Sequence, residues 1–366
     1  MHTLGKVFQV NIYGESHGDL MALTINGIAP GIKLDLEQIK ADLSSRRPKL
    51  KSETSRHEAD EFKITSGYFN GYTTGAPLMI TLENNNVNSK AYDHLKDVFR
   101  PMHADYPAHM HYQGFNDYRG GGIFSGRLTA LLTIAGSIAK GILSDKGISI
   151  ITRIKTVKDQ SDTNFSANIE EDIQAIKEKL IPVIATDFQR TVFDIINNVK
   201  AEDDSLGAIL ESKIVGLEAG LGEPHFNKLD ANLAYNIMTI PAIKGVSFGS
   251  GFDLAKLSGS QIRDEYYLDQ DQVKTKSNHM GGIIGGMATG MPVIINSIVK
   301  PTPSINLPLT TIKKDLKTAV SLSTKGRHDS SIFTRIPIVV DALIALTILD
   351  MYCIRYGYMY QIGDKK

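Results

Sequence analysis

Hydrophobic spacing constrains this chain most. It divides the 366 residues into short strand-like runs and longer helix-like runs, without the repeat of about 20 to 50 residues that a solenoid needs. Strand-like runs fall at Lys6–Ile12, Ala22–Ile25, Pro77–Leu82, Ile148–Lys155, Ala208–Val215 and Pro292–Val299. The spacing predicts helices at Leu36–Arg46, Arg127–Lys146, Ile169–Leu180, Asp187–Lys200, Lys228–Met238, Ile312–Ser321 and Asp341–Tyr356. Arg127–Lys146 is the clearest: Leu128, Leu131, Leu132, Ala135, Ile138, Ala139 and Ile142 recur at helical spacing, with Ser125 placed to cap the start and Gly147 to close the end. Asp35 is placed to cap the helix before Pro48.

No composition shift or Ser/Pro-rich linker breaks the chain, so residues 1–366 read as a single large domain of α/β (α+β) class. Strands and helices alternate too irregularly to claim a doubly wound parallel sheet. Two polar stretches without either period, 48–61 and 155–168, read as mobile surface loops. The most apolar window, Ile336–Ile354, contains Asp341 and Asp350, which argues for a packed amphipathic helix rather than a membrane span.

Forty lysines and arginines balance forty aspartates and glutamates, which removes the electrostatic case for a nucleic-acid or anionic-membrane partner. The single cysteine, Cys353, excludes an intramolecular disulfide, and the first residues lack the pattern of a secretory signal, so a cytoplasmic protein is expected. The chain has 32 glycines, a surplus that suits tight turns or backbone brought close to a ligand.

Chemistry concentrates in a few segments. Gly120-Gly121-Gly122-Ile123-Phe124-Ser125-Gly126-Arg127 completes neither a Rossmann fingerprint nor a P-loop. A glycine run, a serine and an arginine entering a helix suit an anion on free N–H groups, or equally a tight turn with a capping serine. His17 follows a strand-like run, and His103, His109 and His111 cluster without any metal-ligand spacing. Arg46-Arg47, Arg100, Arg127, Lys300 and Lys325-Gly326-Arg327 stand beside turns or helix ends, where convergence would make a positive well and scattered surface pairing is the alternative. Gly281-Gly282-Ile283-Ile284-Gly285-Gly286 is a further glycine-rich segment, suited to close backbone approach or to a weakened strand.

Taken in order, the segments resemble the chorismate synthase family from the first strand to about Asp350. The resemblance rests on Gly14-Glu15-Ser16-His17-Gly18, Phe99-Arg100-Pro101 with His103-Ala104-Asp105-Tyr106, Asp117-Tyr118-Arg119-Gly120-Gly121-Gly122, Gly220-Leu221-Gly222-Glu223-Pro224, Ser277-Asn278-His279 and Thr324-Lys325-Gly326-Arg327-His328-Asp329. It implies a βαβ sandwich, a homotetramer, and the 1,4-trans elimination of phosphate from 5-enolpyruvylshikimate 3-phosphate with reduced FMN. It also implies roles. His17 would be the acid near the departing phosphate, His103 would protonate the reduced flavin, and Asp329 would accept a proton on the flavin N5 side. The two histidine roles suit an imidazole titrating near neutrality. Ser16, Arg46, Arg47, Arg100, Arg127 and Arg327 would hold the substrate's anions. The flavin would lie along Ile123, Phe124, Ser125, Gly126, Pro241, Ala242, Gly285, and the run Lys300, Pro301, Thr302, Pro303 and Ser304, with Arg327 close to both ligands. No reductase domain or dinucleotide motif is visible, so a separate flavin reductase or other reductant is expected to supply reduced FMN, with NADPH acting only through it.

Departures fall mainly on the flavin side. Where the family has Arg-Ser-Ser-Ala-Arg-Glu-Thr, this chain has Ile123-Phe124-Ser125-Gly126-Arg127-Leu128-Thr129. Pro241 replaces an asparagine, Met102 replaces a glycine before His103, and Ser330-Ser331 replace Pro-Cys. These changes motivate one alternative, a non-catalytic or repurposed relative that still binds flavin or phosphate. Retention of His17, His103 and Asp329 argues against it, because pure binding requires no proton-transfer groups.

Overall fold

A computed structural model describes residues 2–50, 53, 58–85, 95–322 and 329–363. Two five-stranded antiparallel sheets enclose a layer of helices. In the first, strands run in the order Thr3–Leu4, Gln9–Tyr13, Leu20–Asn26, Leu78–Glu83 and Phe62–Ser66. In the second, the order is Ile243–Phe248, Val293–Val299, Ala208–Val215, Ser149–Val157 and Gln160–Ser161. The helices are α1 (Leu36–Ser45), α2 (Asp105–His111), α3 (Thr129–Ser144), α4 (Ile169–Lys177), α5 (Thr186–Ala201), α6 (Leu229–Met238) and α7 (Pro337–Tyr356).

Helices α3 and α7 form the centre. Packing of α3 reaches the Gln9–Tyr13 and Leu20–Asn26 strands on one side and Ser149–Val157 on the other, while α7 covers the second sheet and lies against α3. The crossing is close because Gly136 faces Ala342: a Cβ at 136 would sit 2.2 Å from the Ala342 Cβ, so any side chain there would push the helices apart. One apolar cluster, from Phe8 to Cys353, runs through both sheets and the helices between them.

Gly126–Ser144, which is α3 with the turn before it, and α7 are long and apolar enough to cross a membrane, yet 78% and 89% of their most apolar windows are buried inside the protein. The expectation of an amphipathic α7 is corrected. Nearly every residue from Pro337 to Cys353 is buried, because α7 has protein on all sides and needs no polar face. Its two carboxylates are used differently. Asp350 accepts the backbone N–H groups of Lys6, Val7 and Phe8 at 2.9, 2.7 and 2.9 Å, tying the N-terminal strands to the helix end. Asp341 is buried, and desolvation pushes it up to about 7 against the opposing pull of Lys140.

Further expectations need correction. The helix expected at Ile312–Ser321 is a hairpin of Leu309–Ile312 and Ala319–Leu322. Its turn is decided by Asp315, whose carboxylate accepts Lys317 N–H at 2.9 Å, Thr318 N–H at 3.0 Å and the Thr318 hydroxyl at 2.7 Å. That local bonding competes with helix, and Thr310, Thr311 and Val320 suit strands. The stretch 155–168 is only partly loop, since Ser149–Val157 extends into it and Gln160–Ser161 pairs back. Asp162 then accepts Ile184 N–H at 2.6 Å and Ala185 N–H at 2.9 Å and pairs with the fully buried Arg153 at 3.2 Å. Of the stretch 48–61, residues 51–52 and 54–57 lie outside the described residues.

Candidate active site

The site begins at the end of the Gln9–Tyr13 strand, where a turn at residues 14–18 places Ser16 and His17, both buried. Ser16 N–H donates to the Gly122 carbonyl at 3.2 Å, and Asn84 Nδ2 donates to the carbonyls of Glu15 at 3.1 Å and Gly18 at 2.8 Å. The glycine run that meets this turn has φ values of 59°, 86° and 54° at Gly120, Gly121 and Gly122. A Cβ at Gly120 would lie 2.4 Å from His17 Cδ2, so the absence of a side chain lets the two turns interlock. Ser125 caps the following 3-10 turn by accepting Arg127 N–H at 3.3 Å, and α3 begins at Thr129. A turn with a capping serine is therefore present, and it delivers the Arg127 side chain inward.

Arg127 meets the end of α1 across a buried carboxylate. Its Nη1 pairs with Asp60 Oδ1, while its Nε donates to Asn84 Oδ1 at 3.2 Å. Arg46 Nη2 reaches Asp60 Oδ2 at 3.2 Å, and Arg47 Nε approaches the same oxygen at 3.8 Å. Burial pulls Arg46 down to about 10, with Asp60 opposing and Arg127 and Arg335 adding to the fall, so it remains a cation at neutral pH. Nearby, Arg335 pairs with Asp329 Oδ2 and faces Glu53 at 3.9 Å, while Asp329 Oδ1 accepts Ser331 N–H at 3.2 Å.

The donors left over matter most. Among the described residues, the buried side-chain atoms without a hydrogen-bond partner include Ser16 Oγ, Arg46 Nε, Arg47 Nε, Arg127 Nη2 and Arg335 Nε. Leaving such groups unmet in a folded interior is costly, and a cluster of them at one place marks a site for an acceptor.

A second group surrounds His103. Its Nε2 lies 2.9 Å from Ser304 Oγ, and Lys300 Nζ donates to the Met102 carbonyl at 2.7 Å. Lys300 N–H donates to the Ala242 carbonyl at 2.9 Å, which brings the Pro241-Ala242 turn to the same place. Thr302 accepts the Ser205 hydroxyl on its carbonyl, yet its own buried Oγ1 has no partner. Met102 has φ 63° and Ala242 φ 76°, left-handed values that residues with a Cβ seldom adopt. Met102 thus keeps a glycine-like backbone at the position where the family has glycine. A cavity of about 570 Å3 lies beside His103, lined by Arg100, Tyr106 and Thr311 among others. A larger cavity, about 1090 Å3, opens elsewhere against α1, α3 and α4 and touches the site at Arg335.

His103 does not titrate near neutrality here. Burial, then the charges of Arg100 and Lys300, pull it down to about 4, with Asp105 opposing. Ser16, His17, Arg46, Arg47 and Arg127 come together, and Asp329 joins them through Arg335. Arg100 lies apart: its guanidinium and backbone N–H all bond Asp105, at 2.8 to 3.0 Å, in the His103 group. Ile123 and the half-exposed Phe124 flank Ser125 and Gly126, with the Phe124 ring edge-on to Tyr112. Gly285 turns a small hairpin that packs on residues 222–229, with no described contact to His103. Pro301 and Pro303 shape the run between Lys300 and Ser304, and Arg327 lies outside the described residues. Sequence reasoning missed Asp60, Asn84, Glu53 and Arg335. An acid and an arginine inside or beside segments already rich in cations were the only signal.

Comparison with known proteins bears on this arrangement. The family model for chorismate synthase matches residues 8–353. Chorismate synthase of Dehalococcoides mccartyi is 40% identical over 96% of this chain and 96% of the relative, and that of Thermococcus kodakarensis 39% over 94% and 96%. That of Methanococcoides burtonii is 38% identical over 98% and 97%. A crystal structure of a chorismate synthase shares the fold, with a TM-score of 0.76 and 23% identity over 97% of this chain and 94% of the other. With its fold, its segments and its full-length relatives in agreement, the chain belongs to the chorismate synthase family, and it is a lyase.

Proposed function

We propose that the chain converts 5-enolpyruvylshikimate 3-phosphate to chorismate by 1,4-trans elimination of phosphate, the last common step toward the aromatic amino acids, with reduced FMN as cofactor. The carrying observation is the set of buried, unpartnered donors on Ser16, Arg46, Arg47, Arg127 and Arg335. A ligand with two carboxylates and a phosphate supplies acceptors for all of them, and guanidinium groups suit planar, bidentate pairing with such anions.

In the elimination the C–O bond to phosphate breaks, the departing phosphate keeps the electron pair, and C6 gives up its hydrogen, so the reaction is redox-neutral. His17, fixed by its turn against Gly120, is the acid for the leaving phosphate. Asp329 accepts a proton on a carboxylate held by Arg335 and Ser331 N–H. His103 enters neutral, so Nε2 can take up a proton as negative charge comes against it and return it. Ser16, Arg46, Arg47 and Arg127 hold the substrate, with Arg327 assigned alongside them. Arg100, bonded to Asp105, acts beside His103.

The His103 group fits the flavin. Thr302 Oγ1 is a buried polar atom in want of a partner, Lys300 brings positive charge, and Ser304 and the Ala242 turn close the wall. Ser125, Gly126, Ala242, Lys300, Thr302 and Ser304 would hold it, with Ile123, Phe124, Pro241, Pro301 and Pro303 completing the surroundings and Gly285 assigned there by the family resemblance alone. When bound, reduced flavin supplies the transient electron and hydrogen chemistry, and the protein supplies orientation, charge and exclusion of water.

A homotetramer is part of the same reading, supported by bulky apolar groups left on the surface: Phe226, Phe252, Leu268 and Tyr235 are 101, 81, 73 and 73% exposed. So are a cytoplasmic location, supported by the lone, buried Cys353, and a separate reductase or other reductant that supplies reduced flavin.

The test is binding. Arg127→Ala removes a buried cation facing the substrate's anions while Arg46 and Arg47 stay on Asp60, and truncating one partner of a buried charge pair across a binding interface costs about 2 to 5 kcal/mol. Substrate affinity measured by calorimetry is therefore expected to fall about a hundredfold or more, with a lower rate. A variant with wild-type affinity would place Arg127 outside the substrate site.

A further inference from the structure

Asp60 occupies an unusual place. Its side chain is fully buried, its carboxylate is shared by Arg46, Arg47 and Arg127, and its backbone is left-handed with φ 50°. The same turn offers the Ala59 carbonyl to Arg47 Nη2, so Arg47 is gripped by backbone and carboxylate together. Strained backbone of this kind persists where the surroundings fix it, and it clusters at functional positions.

A carboxylate here works against the binding of a polyanion by simple Coulomb repulsion. Its value must lie in geometry. Three guanidiniums packed side by side repel one another, and Asp60 spends one nitrogen of Arg46 and one of Arg127 and draws in Arg47. Each arginine keeps a buried nitrogen without a hydrogen bond: Arg46 Nε, Arg127 Nη2, and Arg47 Nε, whose 3.8 Å approach to Asp60 is too long to be one.

We propose that Asp60 is a positioning residue that locks these three arginines into one anion-receiving fork, an inference that rests on the elimination reading of the site. The test is the near-isosteric Asp60→Asn, with Asp60→Glu as the conservative control. Binding of 5-enolpyruvylshikimate 3-phosphate without flavin is expected to weaken at least tenfold in Asp60→Asn although the site gains positive charge. KM should rise more than kcat falls, and Asp60→Glu should recover part of the loss. Unchanged or tighter binding of the substrate by Asp60→Asn would overturn the proposal, because a mere counter-charge behaves that way.

A second measurement starts from the unliganded wild-type protein. In the unliganded wild-type protein, phenylglyoxal should modify Arg46, Arg47 and Arg127 far more slowly than Arg190, whose side chain is 74% exposed. Reaction of the three at the Arg190 rate would sink the fork. Wild-type protein that binds no substrate while the three stay locked, and are released together in Asp60→Asn, would remove the elimination reading and leave the fork standing.

Discussion

His103 is half-buried and feels the charges of Arg100 and Lys300, with Nε2 against the Ser304 hydroxyl. It stays neutral down to about pH 4, whereas an unfolded imidazole takes its proton near about 6.5. Between those values the unfolded chain binds more protons. The stability contributed is thus present above about 6.5 and is lost as pH falls toward about 4. His103→Ala is expected to flatten that slope in thermal melts taken across the window. Its larger effect should be on turnover, lowered by about 10² to 10⁴-fold, the usual weight of a general acid or base, with substrate affinity nearly unchanged. Unaltered turnover would reject the proton-transfer role. The residue type and its flanking motif were legible in the sequence; the neutral form was not, because it depends first on burial, which only the fold creates.

Among the elements, α7 carries a carboxyl at Asp341 that burial keeps protonated up to about 7. An unfolded aspartate loses its proton near about 3.9, so the native state binds more protons between the two values. Stability is then highest at low pH as far as this group is concerned, and it is lost as pH rises through about 7. Asp341→Asn, which cannot ionise, is expected to remove that loss, worth on the order of a few kcal/mol, and to exceed wild type in melting temperature by more at pH 8 than at pH 5. An equal alkaline loss in both proteins would contradict the assignment. The existence of α7 and α3 was plain from their apolar runs, and Ala208–Val215 matches its expected strand residue for residue. What was hidden depended on local bonding or mixed polarity. Asp315 turns an apparent helix into a hairpin, and Ile243–Phe248 carries Gly245 and Ser247, which weaken a strand pattern.

Across the whole molecule, the two sheets and the helix layer bring together residues far apart in sequence. Asp60 and Arg127 are separated by 67 positions, and Glu53 meets Thr334 across 281. Ser16, His17, Arg46, Arg47, Arg127 and Asp329 could be named beforehand because motifs mark them. Asp60, Glu53 and Arg335 could not, since their meaning is a contact made only by the fold. That assembly, four arginines around a few buried acids, is suited to holding one polyanion still. The most direct test is an anaerobic assay of the purified protein with 5-enolpyruvylshikimate 3-phosphate and chemically reduced FMN, following chorismate, phosphate and the flavin spectrum together. Equal amounts of chorismate and phosphate, formed only with reduced flavin and without its net oxidation, are expected. No product from folded protein at saturating reduced flavin, or one flavin oxidised per turnover, would contradict the elimination.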